Sequence, residues 1–220
     1  MDPNKLLKLA NYFHSLASSE DLKKTLKEIE ELEHYNARKE YAEKHLEHLS
    51  SGSSRIVYLS PEKTIIKMAK NDKGIAQNKA ECNPKMKSKY LNEVISHAKN
   101  YAWMETHYLD KITEKEFEEM TDLDFEDFGE SIRYALRDVS GNKDFEKPKN
   151  FDKVEKSEIY KEMKKIGAEF KLMPGDLARI SSWGTKDGRP VLIDAGLTAD
   201  VFADYYDSSS SSSWLSSFHF

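Results

Sequence analysis

The sequence predicts an α+β fold in which a small antiparallel β lobe is followed by a mainly helical lobe. Apolar residues recur every three or four positions in segments 3–18 and 157–172, and this spacing predicts amphipathic helices. Short runs of β-branched and aromatic residues occupy 56–58 and 64–66, with Pro61 between them, which predicts two strands joined by a turn. At 220 residues the chain is long enough for one sizeable core or two small ones.

The sequence pattern of residues 1–48 predicts a helical appendage at the N-terminus. Segment 3–18 carries its apolar residues on one face, and Pro3 suits a first helical turn. Ser18 and Ser19 then predict the start of a second, long and charged helix that reaches about Leu46. The narrow apolar stripe of these helices could dock on the chain's own domain, on a protein partner or on another copy, and the first alternative is preferred.

We expect residues 49–112 to form the β-rich lobe, which contains the hairpin of 56–66. Residues 74–100 have a helical pattern that is interrupted near Asn83 and Pro84, because proline disfavours helix at the residue before it. The aromatic and apolar segment 100–112 then predicts a buried strand that leaves into a loop.

We expect residues 113–206 to form a reduced helical lobe. Segment 113–150 is acidic and then rich in loop residues, so we expect a helix followed by an exposed loop. After the helix of 157–172, the pair Asp187-Gly188 predicts a tight turn between two strands, and Trp183 is expected in the core beside them. The tail 207–220 is a serine run with few apolar residues, which predicts disorder until a partner binds.

Charge and cysteine content exclude several classes of protein. The net charge of -5 provides no global positive field, which makes nucleic acid an unlikely partner. No apolar run approaches the ~20 residues that span a bilayer, and the N-terminus has no secretory pattern, so we expect no membrane partner and a cytoplasmic or virion-associated location. The single cysteine, Cys82, excludes an intramolecular disulfide and a zinc site built from several cysteines.

Two groups of residues could carry chemistry. The small residues around Gly52, Ser53 and Ser54 would let backbone N–H groups approach a phosphate, although a serine-rich lead-in to a hairpin explains them equally well. Lys67 ends a strand and could present its ammonium beneath that loop, or it could simply face solvent. Further along the chain, Asp176 follows a predicted helix and Asp194 ends a hydrophobic strand.

Four short motifs occur in a characteristic order along the chain. SSGSSRIV ends at Val57, TIIK ends at Lys67, PGD ends at Asp176 and DAG begins at Asp194. In this order and spacing they resemble the glycine-rich loop, strand lysine, catalytic loop and metal-binding aspartate of the protein-kinase-like fold, which protein kinases share with aminoglycoside phosphotransferases. The resemblance covers about residues 49–200 and implies ATP and Mg²⁺ as cofactors.

The resemblance implies a role for each matching residue. Gly52, Ser53 and Ser54 would cover the phosphates of ATP, and Lys67 would contact the α- and β-phosphates. Glu81 would hold that lysine, with Glu93 as the other candidate.

The remaining roles concern the adenine, the metal and the acceptor. The segment Trp103-Met104-Glu105 would be the strand-to-loop hinge whose backbone contacts the adenine. Asp194 would bind Mg²⁺, Ser181 stands where a second metal ligand is expected, and Asp176 would accept or orient the proton of the attacking hydroxyl.

Departures from the family pattern keep two functions open. Ser50 and Arg55 replace two glycines, Ser181 replaces the asparagine of the second metal site, and a short stretch follows Asp194. One hypothesis is a protein that has lost catalysis and acts as a binding or structural component, such as a phage accessory or virion protein, with its N-terminal helices and C-terminal tail contacting a protein partner or a second copy. The alternative is an ATP·Mg-dependent phosphotransferase acting on a protein or small-molecule hydroxyl.

Overall fold

The computed structural model describes residues 19–141 and 146–206, and its fold is α+β as predicted. The predicted helix of 3–18 and the serine-rich tail of 207–220 lie outside the described residues. The described residues form two compact units. The first unit contains residues 19–78 and 94–108, and the second contains 79–93 together with the described residues from 109 onward.

The first unit contains a five-stranded antiparallel sheet with strand order β1-β2-β3-β5-β4. Its strands are β1 (Glu47–Ser51), β2 (Arg55–Leu59), β3 (Thr64–Ala69), β4 (Val94–His97) and β5 (Trp103–His107). Its helices are α1 (residues 19–31), α2 (Tyr35–His45) and the first seven residues of α3 (Asp72–Glu81). The predicted hairpin is confirmed as β2 and β3, and the predicted strand within 100–112 is confirmed as β5.

The predicted long helix from Ser18 to Leu46 is wrong, because residues 32–34 are not helical and divide this stretch into two helices. His34 has extended backbone angles (φ -95°, ψ 136°) and begins α2 without a side-chain cap. Leu22, Leu26 and Ile29 of α1 are buried, and the second helix buries a separate set of side chains. Packing of two separate faces therefore outweighs the helix propensity of the sequence between them.

The apolar stripe of α1 packs within the first unit. Its leucines and Ile29 belong to one buried cluster with residues of the sheet, namely Ile56, Tyr58, Ile66, Met68 and Trp103. The preferred alternative, packing on the chain's own domain, is thus confirmed for the described part of the appendage. Contact of the N-terminal helices with a protein partner or a second copy stays a prediction, and any such contact within residues 19–46 would use side chains other than the buried Leu22, Leu26 and Ile29.

The predicted helix of 74–100 is wrong beyond Glu81. Residues 82–93 contain turns and an isolated bridge, and 94–97 form β4 at one edge of the sheet. β4 alternates half-buried and exposed residues and pairs antiparallel with β5. β-branched Val94 and Ile95 favour this pleated edge over a helix.

The second unit is mainly helical and contains a three-stranded antiparallel sheet. Its strands are β6 (Asp110–Lys111), β7 (Trp183–Lys186) and β8 (Arg189–Leu192), in that order. Its helices are α4 (Glu114–Thr121), α5 (Phe125–Ala135), α6 (Arg137–Ser140), α7 (Phe151–Val154), α8 (Glu158–Glu169), α9 (Pro174–Leu177) and α10 (Ala199–Tyr205), with a 3₁₀ turn at Ile180–Ser182.

Three predictions for the second unit are confirmed. Trp183 is fully buried and meets Phe117 and Phe128 edge-on. The turn between β7 and β8 is Asp187-Gly188, and both residues have positive φ (51° and 72°), as a two-residue hairpin turn of the primed type requires. The amphipathic helix of 157–172 is α8, capped by the Ser157 hydroxyl.

The compact units divide the chain differently from the predicted domains, whose boundaries remain predictions. Residues 19–48 belong to the first unit, and 79–93 belong to the second. In the described parts of the chain, no helix combines the length and apolar character needed to cross a bilayer.

Candidate functional site

The predicted phosphate loop is the turn between β1 and β2. The Gly52 N–H donates to the Arg55 carbonyl at 2.9 Å, which closes the turn. Ser54 is buried, and its hydroxyl donates to Gln77 Oε1 at 2.6 Å. The loop therefore packs against α3. Gly74 permits this approach, because a Cβ at position 74 would overlap the Ser54 carbonyl oxygen.

Lys67 lies near the end of β3, in the middle of the sheet. Its neighbours in register are Val57 on β2 and Met104 on β5. The residue is only 6% exposed, so the alternative of a solvent-facing lysine is wrong. Burying an ammonium costs free energy unless it has partners, and perturbed or buried charges concentrate at functional sites.

Asn78 fixes the backbone around Lys67. Its side-chain amide donates to the Lys67 carbonyl at 3.2 Å and to the Tyr101 carbonyl at 2.9 Å. Its Oδ1 accepts from the Arg55 guanidinium at 3.3 Å, and the residue is fully buried. One side chain of α3 thus joins β2, β3 and the turn before β5. No sequence motif singled it out.

The predicted partners of Lys67 are glutamates that belong to the second unit. Glu81 is the last residue of α3 and is 8% exposed, whereas Glu93 is exposed and precedes β4. Because Lys67 belongs to the first unit, its pairing with either carboxylate remains a prediction.

The predicted hinge segment Trp103-Met104-Glu105 forms the first three residues of β5 and not its junction with the following loop, and its contact with an adenine stays a prediction. Met104 is paired on both sides, with Lys67 of β3 and His97 of β4, and the strand continues to His107. The Glu105 carboxylate accepts from the Thr64 hydroxyl at 2.7 Å and from the Ser96 hydroxyl at 2.6 Å, so its side chain joins three strands. The strand-to-loop junction therefore follows His107.

Asp176 lies in the one-turn helix α9 of the second unit. The carbonyl groups of the next two residues, Leu177 and Ala178, each accept a hydrogen bond from a side chain of another element. Trp183 Nε1 donates to the Leu177 carbonyl at 2.9 Å, and the Arg133 guanidinium donates to the Ala178 carbonyl at 3.3 Å. The Asp176 side chain is 20% exposed, and the guanidinium of Arg179 lies 3.8 Å from its Oδ1. The backbone around this carboxylate is thus held by side chains from α5 and β7.

Asp194 follows β8, and its segment runs beside the one that carries Asp176. The Ile193 N–H donates to the Ser182 carbonyl at 2.8 Å, and the Met173 N–H donates to the Leu197 carbonyl at 2.9 Å. These two bonds bring the segments of Asp176, Ser181 and Asp194 together within one unit. Ser181 is exposed in the 3₁₀ turn beside the bonded pair.

The oxygen atoms of these segments suit a hard cation. Mg²⁺ is held by one or two carboxylates, and its other positions are filled by water and substrate phosphates. Asp194 supplies a carboxylate and Ser181 supplies a neutral hydroxyl, so the donor set fits Mg²⁺ held by few protein ligands. Across residues 19–141 and 146–206, no cluster of three or more histidine, cysteine or acidic side chains has metal-binding geometry.

Besides Asn78, sequence reasoning missed three charged residues that contact the site segments. Arg133 and Arg179 contact the backbone or the carboxylate near Asp176, and Lys70 contacts the loop between β1 and β2. None of these charged residues belongs to one of the four motifs, and a solvated surface is the ordinary expectation for a charged side chain. Only Arg179 has a spacing that could have indicated its contact, because it stands three positions after Asp176.

Comparisons with known proteins found similar solved structures only. No protein-family model and no curated protein matches the chain. The ADP-bound aminoglycoside phosphotransferase APH(2'')-Ib is 16% identical, with 74% of this chain and 72% of that chain covered and a TM-score of 0.35. The gentamicin–APH(2'')-IIa complex is 17% identical, with 79% and 75% covered and a TM-score of 0.35. At these TM-scores the likeness carries no argument about function.

Proposed function

We propose that the protein binds ATP with Mg²⁺ and transfers the terminal phosphoryl group to a hydroxyl of a protein or small molecule. The observation that carries this proposal is the pair of backbone hydrogen bonds, Ile193–Ser182 and Met173–Leu197, which align the segments of Asp176 and Asp194. Phosphoryl transfer depends mainly on positioning and charge neutralisation. Two carboxylates on adjoining, anchored segments meet that requirement.

Each aspartate has a separate role in the proposed reaction. Asp194 would hold Mg²⁺ through its carboxylate, with the Ser181 hydroxyl as a weaker second ligand, and the ion would supply neutralisation of the phosphate charge. The Asp176 carboxylate orients the attacking hydroxyl and accepts its proton. The anchored carbonyls of Leu177 and Ala178 keep the Asp176 backbone in place while the acceptor approaches.

The first unit supports nucleotide binding. Lys67 is buried in the central part of the sheet, and the small residues Gly52, Ser53 and Ser54 form a loop closed onto α3. A strand lysine that contacts the α- and β-phosphates and a loop of small residues that covers them are the parts that kinase-like enzymes use. Glu81, the preferred partner of Lys67, would hold its ammonium toward the phosphates.

A second candidate function is nucleotide binding without transfer, in a protein that acts by contacting a partner. Two observations favour it. Ser181 offers a neutral ligand, and the Arg179 guanidinium lies 3.8 Å from Asp176 Oδ1, so a cation of the chain itself contacts the carboxylate that would orient the acceptor. Loss of a metal ligand can lower the rate by orders of magnitude while nucleotide binding survives.

Calorimetric titration with ATP·Mg, followed by an assay of ATP turnover, separates these functions. We expect saturable binding in the wild type that is weakened about tenfold or more in Lys67→Ala and Asp194→Asn. Asp176→Asn should retain binding and lose turnover by about 100-fold or more. Exposed Lys99→Ala and Asp204→Asn serve as matched controls and should behave like the wild type.

The two measurements distinguish the two candidate functions from each other and from a protein that does not bind ATP. Binding without turnover in the wild type, across a panel of hydroxyl acceptors, supports the second candidate. A folded wild type that gives no heat with ATP·Mg contradicts both.

A further inference from the structure

Lys70, the first residue after β3, holds both sides of the loop between β1 and β2. Its ammonium donates to the Ser51 hydroxyl and to the Gly52 carbonyl, both at 2.7 Å. Its backbone N–H donates to the Ser54 carbonyl at 2.8 Å. Hydrogen bonds from a charged donor are roughly twice as strong as neutral ones, so these contacts fix the loop more firmly than a neutral side chain would.

The next residue completes the same contact surface. The Asn71 side-chain amide donates to the Ser53 carbonyl at 3.2 Å, and its Oδ1 accepts from the Gly74 N–H at 3.1 Å in the first turn of α3. Three consecutive carbonyl groups, from Gly52 to Ser54, therefore accept hydrogen bonds from Lys70 and Asn71. The loop and the start of α3 are joined as one unit of structure.

This arrangement explains how the loop can work with a single glycine. Phosphate-binding loops present backbone N–H groups to the anion, and carbonyl oxygens that faced the anion would repel it. In glycine-rich loops the backbone reaches such an arrangement because glycine tolerates many conformations. Here Ser50 and Arg55 stand in place of two glycines, and the donors of Lys70 and Asn71 hold the carbonyls instead.

We propose that Lys70 is a positioning residue that holds Ser51–Ser54 in the conformation that receives the phosphates of the nucleotide. As regards the nucleotide, this inference rests on the proposed function. As regards the loop, it rests only on the contacts of Lys70. Loss of the ammonium should free the loop, and the freed loop should bind phosphates more weakly.

Three variants test the role of the ammonium. Lys70→Met keeps most of the aliphatic stem and removes the charge, Lys70→Arg keeps the charge and the donors, and Lys99→Met is a control in an exposed lysine of the same unit. Amide hydrogen exchange of residues 51–55 and the dissociation constant for ATP·Mg are measured for each. In Lys70→Met we expect about tenfold faster exchange in the loop, unchanged exchange in β5, and about tenfold weaker ATP binding.

The conservative variant separates positioning from a general loss of stability. Lys70→Arg should restore slow exchange and ATP affinity, and Lys99→Met should match the wild type. Unchanged loop exchange in Lys70→Met would overturn the inference, as would faster exchange with unaltered ATP affinity. If the wild type binds no ATP, the proposed function is contradicted, and with it the role of Lys70 toward a nucleotide. Faster loop exchange in Lys70→Met would in that case still support the contact between Lys70 and the loop.

Discussion

Asn78 is a fully buried polar residue of the first unit whose side chain makes three hydrogen bonds. We expect Asn78→Ala to lower the free energy of unfolding by about 2–4 kcal/mol, because the Lys67 and Tyr101 carbonyls and the Arg55 guanidinium all lose a buried partner. Urea denaturation measures the difference. Asn36→Ala, at an exposed position of α2, is the control and should change the same quantity by less than about 0.5 kcal/mol. Equal effects of both substitutions would show that the Asn78 contacts carry no special weight.

A buried tyrosine gives the second unit a predictable response to alkali. Tyr160 of α8 is 2% exposed, its hydroxyl has no hydrogen-bond partner among the described residues, and burial raises the pKa of this group to about 12. Because the unfolded state loses the proton near pH 10, the stabilising effect of the neutral ring is complete below that pH and is lost as the pH rises toward 12.

The expected consequence is a smaller alkaline loss of stability in Tyr160→Phe than in the wild type. Melting temperatures between about pH 8 and pH 12 measure it. At the lower pH the variant should equal or exceed the wild type, since an unsatisfied hydroxyl is removed. Tyr108→Phe, at a residue that is 46% exposed, should follow the wild-type curve throughout. Parallel curves for all three proteins would contradict the assignment to Tyr160.

At the scale of elements, the contact between α3 and the β1–β2 loop depends on the absence of a side chain at position 74. In Gly74→Ala the new Cβ would overlap the Ser54 carbonyl oxygen and lie 3.0 Å from Ala69 Cα, so backbone on both sides must shift. We expect a loss of about 1–3 kcal/mol in the free energy of unfolding, measured by urea denaturation. Gly175→Ala is the control, because a Cβ there meets nothing within 4 Å. A Gly74→Ala protein as stable as this control would contradict the close approach of α3 to the loop.

The elements that sequence predicted are those whose local pattern agrees with their packing. β2 and β3 have β-branched residues around a proline turn, α8 has a regular apolar face, and Asp187-Gly188 suits the only backbone conformation its turn allows. β1 has five exposed residues and a single apolar side chain, Leu49, so no alternation marks it as an edge strand. The break between α1 and α2 was missed because no proline or glycine stands there, and only tertiary packing shows it.

For the candidate site, the sequence supplied the residues to consider but not the contacts that hold their segments. Motif order singled out Lys67, Asp176 and Asp194 as candidates, because a lysine beside β-branched residues, a Gly-Asp pair after a predicted helix and an aspartate after a hydrophobic strand leave a local signal. Lys70 and Arg133 left no such signal, because they donate to backbone carbonyls that lie far from them in the chain, and such contacts exist only after folding. The contact between Arg179 and Asp176 is local, since the two residues are three positions apart.

Because the whole molecule carries a net negative charge, an anion must be bound by individual positive groups at its site. The net charge of -5 repels polyanions at a distance, whereas a buried ammonium such as that of Lys67 acts at short range, where screening by salt is weaker. We therefore expect ATP·Mg to bind at about 0.15 M salt while duplex DNA at the same phosphate concentration does not, as fluorescence anisotropy of labelled nucleotide and labelled duplex would measure. Lys67→Ala should weaken the binding of ATP·Mg and leave the DNA result unchanged. Binding of DNA comparable to that of ATP·Mg would mean that an extended basic surface, rather than a single buried lysine, attracts the phosphates.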